Sequence, residues 1–552
     1  MFEAGSPTVD HILNGPDRSS GTNPPLMCLP HIVLLPIPRT HIQALLGIAL
    51  LTAAPSAAQP GVLDPSFNTT GYTLFPSGLP HYADMDVALA ANGDLYVCAT
   101  TVLAGNLRIE VAHLFADGTL DTGFGTDGFT YIGQGFETRA TDIAIAPDGG
   151  ILIAGYTLIQ DFNDGFICKL LPTGPLDQDF GDSGVKIVDT GSDEKFYALL
   201  SEPGGRIVTA GAIADADGFF MRFDANGMAD PGFGLNGLAR CPVFEEPDFL
   251  VGLGALPDGG YVGCGLVFPD SSQLGMLARV DAEGGFVPGF GSGGAVMLTL
   301  PGTALLNIAG VAVGSDAFYI GGGAFISPTE RDMVIAKFNL DGTPFTSYGE
   351  AGVVRIDLNP NESVRGIALQ NGRVVVCGES GDGGFSATPD FTVARLTGSG
   401  ALDVSFGTAP GYTTSLISGF GTWPFDLGLM PDGRIVLAGG FGTVGAQGFA
   451  AARYLSDGLF ASVDYPSAPA AGLRPFPQPS TDGLFHLRTD TRIPAGTPLR
   501  VLDHTGRVVL EQRSTGLEPG SSALLDARAL AAGSYRLHIG PAVFGSPLVI
   551  AR

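Results

Sequence analysis

One short stretch returns along most of this chain and limits what the chain can fold into. Its fullest copy is Asp117-Gly-Thr-Leu-Asp-Thr-Gly-Phe-Gly-Thr-Asp-Gly128. The aromatic recurs as Phe67, Phe124, Phe180, Phe233, Phe290, Tyr348 and Phe406, with Gly after it in every copy but the first, where Asn68 stands. The separations run 57, 56, 53, 57, 58 and 58 residues. A period this regular marks a repeat architecture, and seven units fit before it stops near Leu459.

The second copy shows the order inside a unit. After Phe124-Gly125 a strand is predicted near Gly128–Ile132, then a variable loop, then a strand over Thr141–Ala146. Pro147-Asp-Gly-Gly150 turns the chain into Ile151–Gly155, and a second variable loop leads to Phe166–Leu170. The turns Asn92-Gly93, Asp148-Gly149, Asp258-Gly259, Asn371-Gly372 and Asp432-Gly433 suit a primed hairpin turn, which needs positive φ. Inner strands such as Ile435–Ala438 and Val374–Cys377 are continuously apolar, so both faces should be covered. A lone four-stranded sheet cannot arrange that, whereas sheets stacked around an axis can. The expectation is therefore all-β: a seven-bladed β-propeller of four-stranded antiparallel blades, with a small C-terminal β-sandwich. A solenoid would need much shorter rungs.

Composition agrees with this reading. There are 82 Gly, and charged residues make up only 15% against about 25% in typical domains. Acidic residues outnumber basic ones 55 to 28, for a net charge of −27, which disfavours nucleic acid as a partner and leaves cations or basic surfaces.

Residues 1–58 are expected to be a signal peptide. The apolar run Ile42–Ala54 follows Arg39 and His41 and precedes Ser56-Ala57-Ala58. Met27 is a plausible true start, with residues 1–26 an over-extended reading. Thirteen apolar residues fall short of the ~20 that span a bilayer, and no later segment reads as transmembrane. Five cysteines remain beyond the leader. Cys98, Cys264 and Cys377 take the place of Ala154, Ala210 and Ala438, and Cys168 that of Ala278, Ala336 and Ala394, so buried thiols are expected.

Leu-Asp-x-x-Phe-Gly with a trailing Gly, a Pro-Asp-Gly hairpin and a closing Ala-Arg-Leu strand resembles the delta-60 repeat of large bacterial exported proteins. The resemblance covers residues 63 to about 460 and implies a propeller-like fold without an assigned chemistry. In the fifth and sixth motifs Val287 and Phe345 stand where the Asp is expected. Domain limits are set at 59–462 for the propeller, 463–474 for a Pro/Ala-rich linker and 475–552 for the tail. Pro477-Gln-Pro479, Gly483-Leu-Phe485, Asp503-His-Thr-Gly-Arg507 and Leu530-Ala-Ala-Gly-Ser-Tyr535 make the tail resemble the C-terminal sorting domain of the type IX secretion system. That resemblance implies that type IX machinery is a partner and that the chain crosses the outer membrane of a Bacteroidetes-type bacterium, to be secreted or held at the cell surface.

The most regular charged feature is one position filled by His113, Lys169, Arg222, Arg279, Lys337, Arg395 and Arg453. Either these cations line a channel and capture an anion, or each pairs with a motif Asp such as Asp121, Asp177, Asp230 or Asp403 and holds the blades in register. Ligand recognition is expected instead among the variable loops, which share one end of the scaffold. That end carries Asp161, Asp164, Asp193, Glu194, Glu245, Glu246, Asp248 and Trp423, with Asp189, Asp215, Asp217, Asp270, Glu330 and Asp382 also among its loops. Asp161-x-Asn163-x-Gly165 opens like a hand-type calcium loop, but its twelfth position is Pro172 rather than Glu. Calcium is thus the one cofactor with any motif behind it, and the metal is unknown. No Cys-x-x-Cys, His-Glu-x-x-His, Gly-x-Ser-x-Gly or phosphate-cradling Gly-Lys-Ser/Thr motif occurs, and no catalytic residue is assigned. The function read from sequence is an extracellular or cell-surface binding or structural module, meeting an unknown protein or glycan. The alternative is a secreted lyase or glycoside hydrolase acting on an extracellular polymer.

Overall fold

The computed structural model describes residues 59–457, apart from short stretches mostly between strands, and the strands within 474–550. The leader, most of the linker, and the tail motifs at 477–483 and 503–507 lie outside the described residues. Among the described residues no helix is long and apolar enough to cross a membrane.

The first sheet joins β2 (His81–Leu89), β3 (Leu95–Leu103), β4 (Asn106–Leu114) and β5 (Phe129–Ile132), after the lone β1 (Tyr72–Phe75). The second joins β6 (Thr138–Ile145), β7 (Ile151–Ile159), β8 (Phe162–Leu170) and β9 (Val185–Val188). The third has β10 (Glu194–Ser201), β11 (Ile207–Ile213), β12 (Asp217–Phe223) and β13 (Leu238–Arg240); the fourth β14 (Asp248–Ala255), β15 (Tyr261–Val267), β16 (Leu274–Val280) and β17 (Ala295–Leu298). Two more meanders follow: β18 (Leu305–Val313), β19 (Ala317–Ser327), β20 (Glu330–Asn339) and β21 (Val353–Ile356), then β22 (Asn361–Gln370), β23 (Arg373–Gly381), β24 (Asp390–Leu396) and β25 (Tyr412–Ser415). A single parallel bridge, Arg331 to Asn361, ties these two together. The last sheet holds β26 (Gly421–Leu429), β27 (Ile435–Thr443) and β28 (Ala446–Tyr454), and its fourth strand is β1, pairing Tyr72 with Ala452 and Phe75 with Phe449.

The first strands β2, β6, β10, β14, β18, β22 and β26 each touch the next, and β26 touches β2, so the sheets close a ring. Apolar layers fill the space between neighbouring sheets, as where Cys98, Ile109 and Phe124 meet Ile143, Ile153 and Phe166. Another such layer packs Val436, Ala438 and Phe449 of the last sheet on Val87, Val97 and Ala112 of the first. This is why β3 is buried along Leu95–Thr101 although its sheet has only four strands. Cys98, Cys168, Cys241, Cys264 and Cys377 are free and buried.

Two sequence expectations are corrected. The strand after Phe124-Gly125 does not open a new sheet. It is the outer strand of the preceding one, because Phe129 pairs with Ala112 of β4. The aromatic-glycine connection therefore lies within a sheet, while the variable loop after Ile132 links two sheets. The Asp-Gly hairpins are also not primed turns in general. Only Asn371 (φ 50°) and Gly372 (φ 76°) are both left-handed; elsewhere the Gly alone is, as at Gly149 (φ 87°). Ala146 closes both ends there, its carbonyl accepting from Gly149 N at 2.8 Å and its N–H donating to Gly150 O at 2.8 Å. This is a type I turn followed by a left-handed glycine, and the Asp148 carboxylate braces it by accepting from Gly150 N at 3.0 Å.

The recurring motif turns out to be the joint between units. Each of the seven aromatics is buried. In six copies the N–H that follows donates to the next unit, as from Gly125 to Thr173 O at 3.0 Å, Gly181 to Asn226 O at 2.9 Å and Gly407 to Pro60 O at 2.8 Å. The position is left-handed throughout, and Asn68 fills it in the first copy with φ 47° and donates to Asp117 O at 2.7 Å. Asn is among the few residues with a side chain that tolerate this region. In six copies, all but that of Phe124, a glycine of the following unit lies against the ring; a Cβ at Gly227 (φ 80°) would stand 2.8 Å from the Phe180 ring. Gly227→Ala is expected to lower stability by about 1–3 kcal/mol through overpacking and backbone strain, measured by urea denaturation.

Residues 474–550 form two further sheets. One orders β29 (Arg474–Phe476), β30 (Leu484–Arg488) and β33 (Ser522–Asp526). The other orders β32 (Val508–Arg513), β31 (Pro498–Leu502), β34 (Gly533–Ile539) and β35 (Ala542–Ile550). Phe485, Leu487, Leu499, Val501, Leu525 and Leu537 make their shared core.

Candidate functional site

The basic positions are consumed inside the fold. His113 Nδ1 lies 2.9 Å from Asp121, Lys169 Nζ 3.2 Å from Asp177, and Arg222 Nε donates to Asp230 at 2.8 Å. Arg222 also reaches the Ala282 carbonyl of the next sheet. Arg395 is wholly buried and donates to Asp403, Gln370 and Asp457 at 2.8–2.9 Å. Arg453 donates to Asp64 at 2.8 Å and to the Ala116 carbonyl. The two units that lack the motif Asp use other partners. Arg279 binds the hairpin Asp258 and the Leu340 carbonyl. Lys337 sits 3.9 Å above the ring of Phe345, the residue that replaces its Asp.

A second charged group lies on the ring axis. Each first strand carries an irregularity, and the residue just after it is Asp142, Ala198, Gly252, Gly310, Gly366 or Asp426; in β2 the shift ends at Met85, and Asp86, paired with Cys98, holds the corresponding position. The three carboxyls belong to adjacent sheets and meet. Asp86 accepts from Val87 N at 2.7 Å and from Ile143 N of the next sheet at 3.0 Å; Asp142 accepts from Leu199 N one sheet further at 2.6 Å. Asp142 and Asp426 each share a hydrogen bond with Asp86, which requires a proton between the oxygens. Burial, and then the charge of Asp86, pushes both carboxyls well above the usual carboxylate range. At Gly252, in the same column, a side chain would be crowded: its Cβ would come 2.7 Å from Cys264 Sγ and 3.0 Å from Gly310 Cα.

At the variable-loop end, Asp161 is exposed at the tip before β8, Asp164 is buried within β8, and Glu194 is buried at the start of β10. Asp164, Asp189 and Glu194 each place a carboxylate oxygen within 4.8 Å of the other two. Burial, then Asp189 and Glu194, raises Asp164 to about 6. Glu194 accepts from Thr190 N at 3.2 Å and Ser192 Oγ at 2.8 Å, while Asp193 accepts from Asn163 N at 2.7 Å. One sheet on, Asp248 accepts from Gly218 N at 2.7 Å, and burial followed by the charge of Asp217 raises it to about 7. Glu246 is exposed just before it. Trp423, 37% exposed, stands apart from these on β26. Glu245, Asp215, Asp270 and Asp382 lie outside the described residues.

The same three-carboxylate arrangement recurs where the fifth and sixth units meet, in Asp332, Asp357 and Glu362. Sequence reasoning missed this set, although its spacing of 25 and 5 residues repeats that of Asp164, Asp189 and Glu194 (189 − 164 = 357 − 332; 194 − 189 = 362 − 357).

The ring, its closure and its repeats decide the fold class. The chain is a β-propeller repeat protein. A family model described as a domain of unknown function (DUF5122) beta-propeller matches residues 90–124, 146–180, 369–406 and 431–460. The first three matches run from a hairpin to the aromatic of the joint, Phe124, Phe180 and Phe406, and the fourth begins at the last hairpin. No curated protein matches the sequence. Among solved structures, Drosophila Semaphorin 2a is similar at 10% identity and TM-score 0.40, covering 90% of this chain and 98% of its own. The Penicillium chrysogenum alpha-L-arabinanase complexed with arabinobiose is similar at 13% identity and TM-score 0.36, covering 68% and 96%. The Chaetomium thermophilum Sqt1 bound to the N-terminus of ribosomal protein L10 is similar at 11% and 0.36, covering 87% and 100%.

Proposed function

We propose that this propeller is an exported binding or structural module whose variable-loop end meets a cationic protein surface or a glycan. The observation that carries the reading is the division of charge. The basic ring is spent on internal partners, while Asp161, Asp189 and Glu246 stand exposed at the loop end. The axial carboxyls, for their part, are engaged with the amides of Val87, Ile143 and Leu199 rather than presented to a partner. Surface loops on a rigid frame change their chemistry without cost to the core. Replacing Asp161, Asp189 and Glu246 together by Ala is expected to weaken capture of a basic protein or glycan found by array screening at least ~10-fold, at unchanged Tm; equal affinity would reject the reading.

The export part of the proposal rests on the leader and on the tail motifs, through their resemblance to a type IX sorting domain. It assigns residues 1–58 to a cleaved signal, 463–474 to a linker and 475–552 to the sorting domain. Residues 473–552 fused to a periplasmic reporter should carry it to the surface of a type IX-competent host. Retention in the periplasm would remove this part and leave the binding reading intact.

A further inference from the structure

We propose that Asp332, Asp357 and Glu362 bind a calcium ion at the junction between the sheets β18–β21 and β22–β25. The three side chains come from β20, from the segment just after β21 and from the start of β22, and their oxygens lie within 4.8 Å of one another. Glu362 is completely buried, and neither of its carboxylate oxygens has a hydrogen-bond partner; Asp332 is 6% exposed, and its Oδ1 has none either. The amides of Leu358 and Asn359 face Glu362 without closing a hydrogen bond of ordinary geometry.

Two buried carboxylates aimed at each other and left unsatisfied are costly, and a cation between them removes that cost. Of the nearby arginines, Arg331 turns away to Glu379 at 2.6 Å, while the charge of Arg355 acts on Asp332 without giving its Oδ1 a hydrogen bond.

The donor set names the ion. It is all oxygen and carries no nitrogen or sulfur, which suits a hard cation. Three carboxylates from three separate elements suit the irregular shell of six to eight oxygens around Ca²⁺; Mg²⁺ demands an octahedron and keeps most of its water. The exposed Asp357 leaves one side open for water ligands. The equivalent Asp164, Asp189 and Glu194 form a second copy, in which Glu194 is already held by Thr190 and Ser192, so the argument rests on the Glu362 set.

This inference is independent of the partner-binding reading, since the metal alone is the probe. The full chain, stripped with EDTA, is titrated calorimetrically with CaCl₂ and separately with MgCl₂. Binding of Ca²⁺ below about 1 mM and at least ~10-fold weaker binding of Mg²⁺ are expected, and Glu362→Gln should lose one ion and its share of the calcium-induced rise in Tm. Gln has the same shape without the buried charge, so this variant should melt in EDTA no lower than the parent. The exposed Asp357→Asn serves as a second variant with little risk to folding. A parent chain that takes up no Ca²⁺ at millimolar concentration, or Gln and Asn variants that bind as many ions as the parent, would overturn the assignment.

Discussion

Asp64→Ala is expected to lower the free energy of unfolding by about 3–5 kcal/mol, because at the seam where the ring closes it takes the carboxylate from buried Arg453 and leaves buried Arg434 to Asp432 alone. Asp64 Oδ2 accepts from Arg453 Nε at 2.8 Å and from Arg434 at 2.9 Å, and both arginines are buried. Burial alone would raise this carboxyl; the hydrogen bond from Ser66, the charge of Arg453 and the hydrogen bond from Arg434 outweigh it and hold the pKa below the usual value. Its contribution is therefore present above the ordinary carboxylate pKa of ~4 and is lost as pH falls through the lowered native value. Burial pulls Arg453 down to about 10, so this cation already depends on its partners. Asp121→Ala, whose His113 pair is partly solvated, is the control and should cost only about 1 kcal/mol. Urea denaturation of both variants at pH 7 measures the difference; equal losses would show that the seam is no more demanding than any other joint.

Replacing the axial Asp142 and Asp426 together by Asn should raise stability at pH 8 and flatten its pH dependence. Their native pKa values lie well above the unfolded ones. Above about pH 4 the native protein thus keeps protons that the unfolded chain has released, and stability falls as pH rises toward the native values. Every tenfold difference in proton affinity between the folded and unfolded chain corresponds to ~1.4 kcal/mol. Asn keeps an oxygen for the Leu199 amide and offers an N–H to Asp86, so it reproduces the hydrogen bonds of the protonated acid. Asp164, Asp248 and Glu362 titrate in the same sense in both proteins, so the difference between the two profiles isolates the axial pair. Parallel curves of Tm against pH from 5 to 8 would reject the explanation.

Much of the scaffold can be read in the sequence because it is repeated. The Phe-Gly period, the inner strands and the hairpins follow from local chemistry copied unit by unit, and so do the buried cysteines. What the pattern hides is the phase. The short strand after each Phe-Gly joint looks like the start of a unit, yet it ends one, since its assignment depends on pairing with a strand before it, as Phe129 does with Ala112. The glycine turns resemble primed ones in sequence, but Asp148 braces its loop through a side-chain hydrogen bond rather than by adopting positive φ itself.

The sites are less legible. Loop acids such as Asp161 and Glu246 stand out in the sequence through their density, whereas Asp142 and Asp426 are each the one acid of their strand and Asp86 shares its strand with Asp84. Only the closed ring reveals that three distant strands bring them to one point. Glu362 likewise gains meaning from Asp332, thirty residues earlier (362 − 332), across a sheet junction that no local pattern marks. Comparing the units column by column would have exposed both, since three acids in a column otherwise of Ala and Gly, or a duplicated 25-and-5 spacing, are visible without coordinates.

Tyr72 pairs with Ala452, so the last sheet waits for the first segment of the ring to come back to it. Such a clasp makes completion a late, long-range event in folding. A ribosome or a translocation channel delivering this polypeptide in order must hold β1 unmatched until β28 emerges, and a product cut short before that point keeps two raw edges open to aggregation or protease. Transplanting residues 59–75 to follow residue 457 would let the final sheet assemble from one continuous run, and the permuted ring should mature sooner while keeping the same contacts.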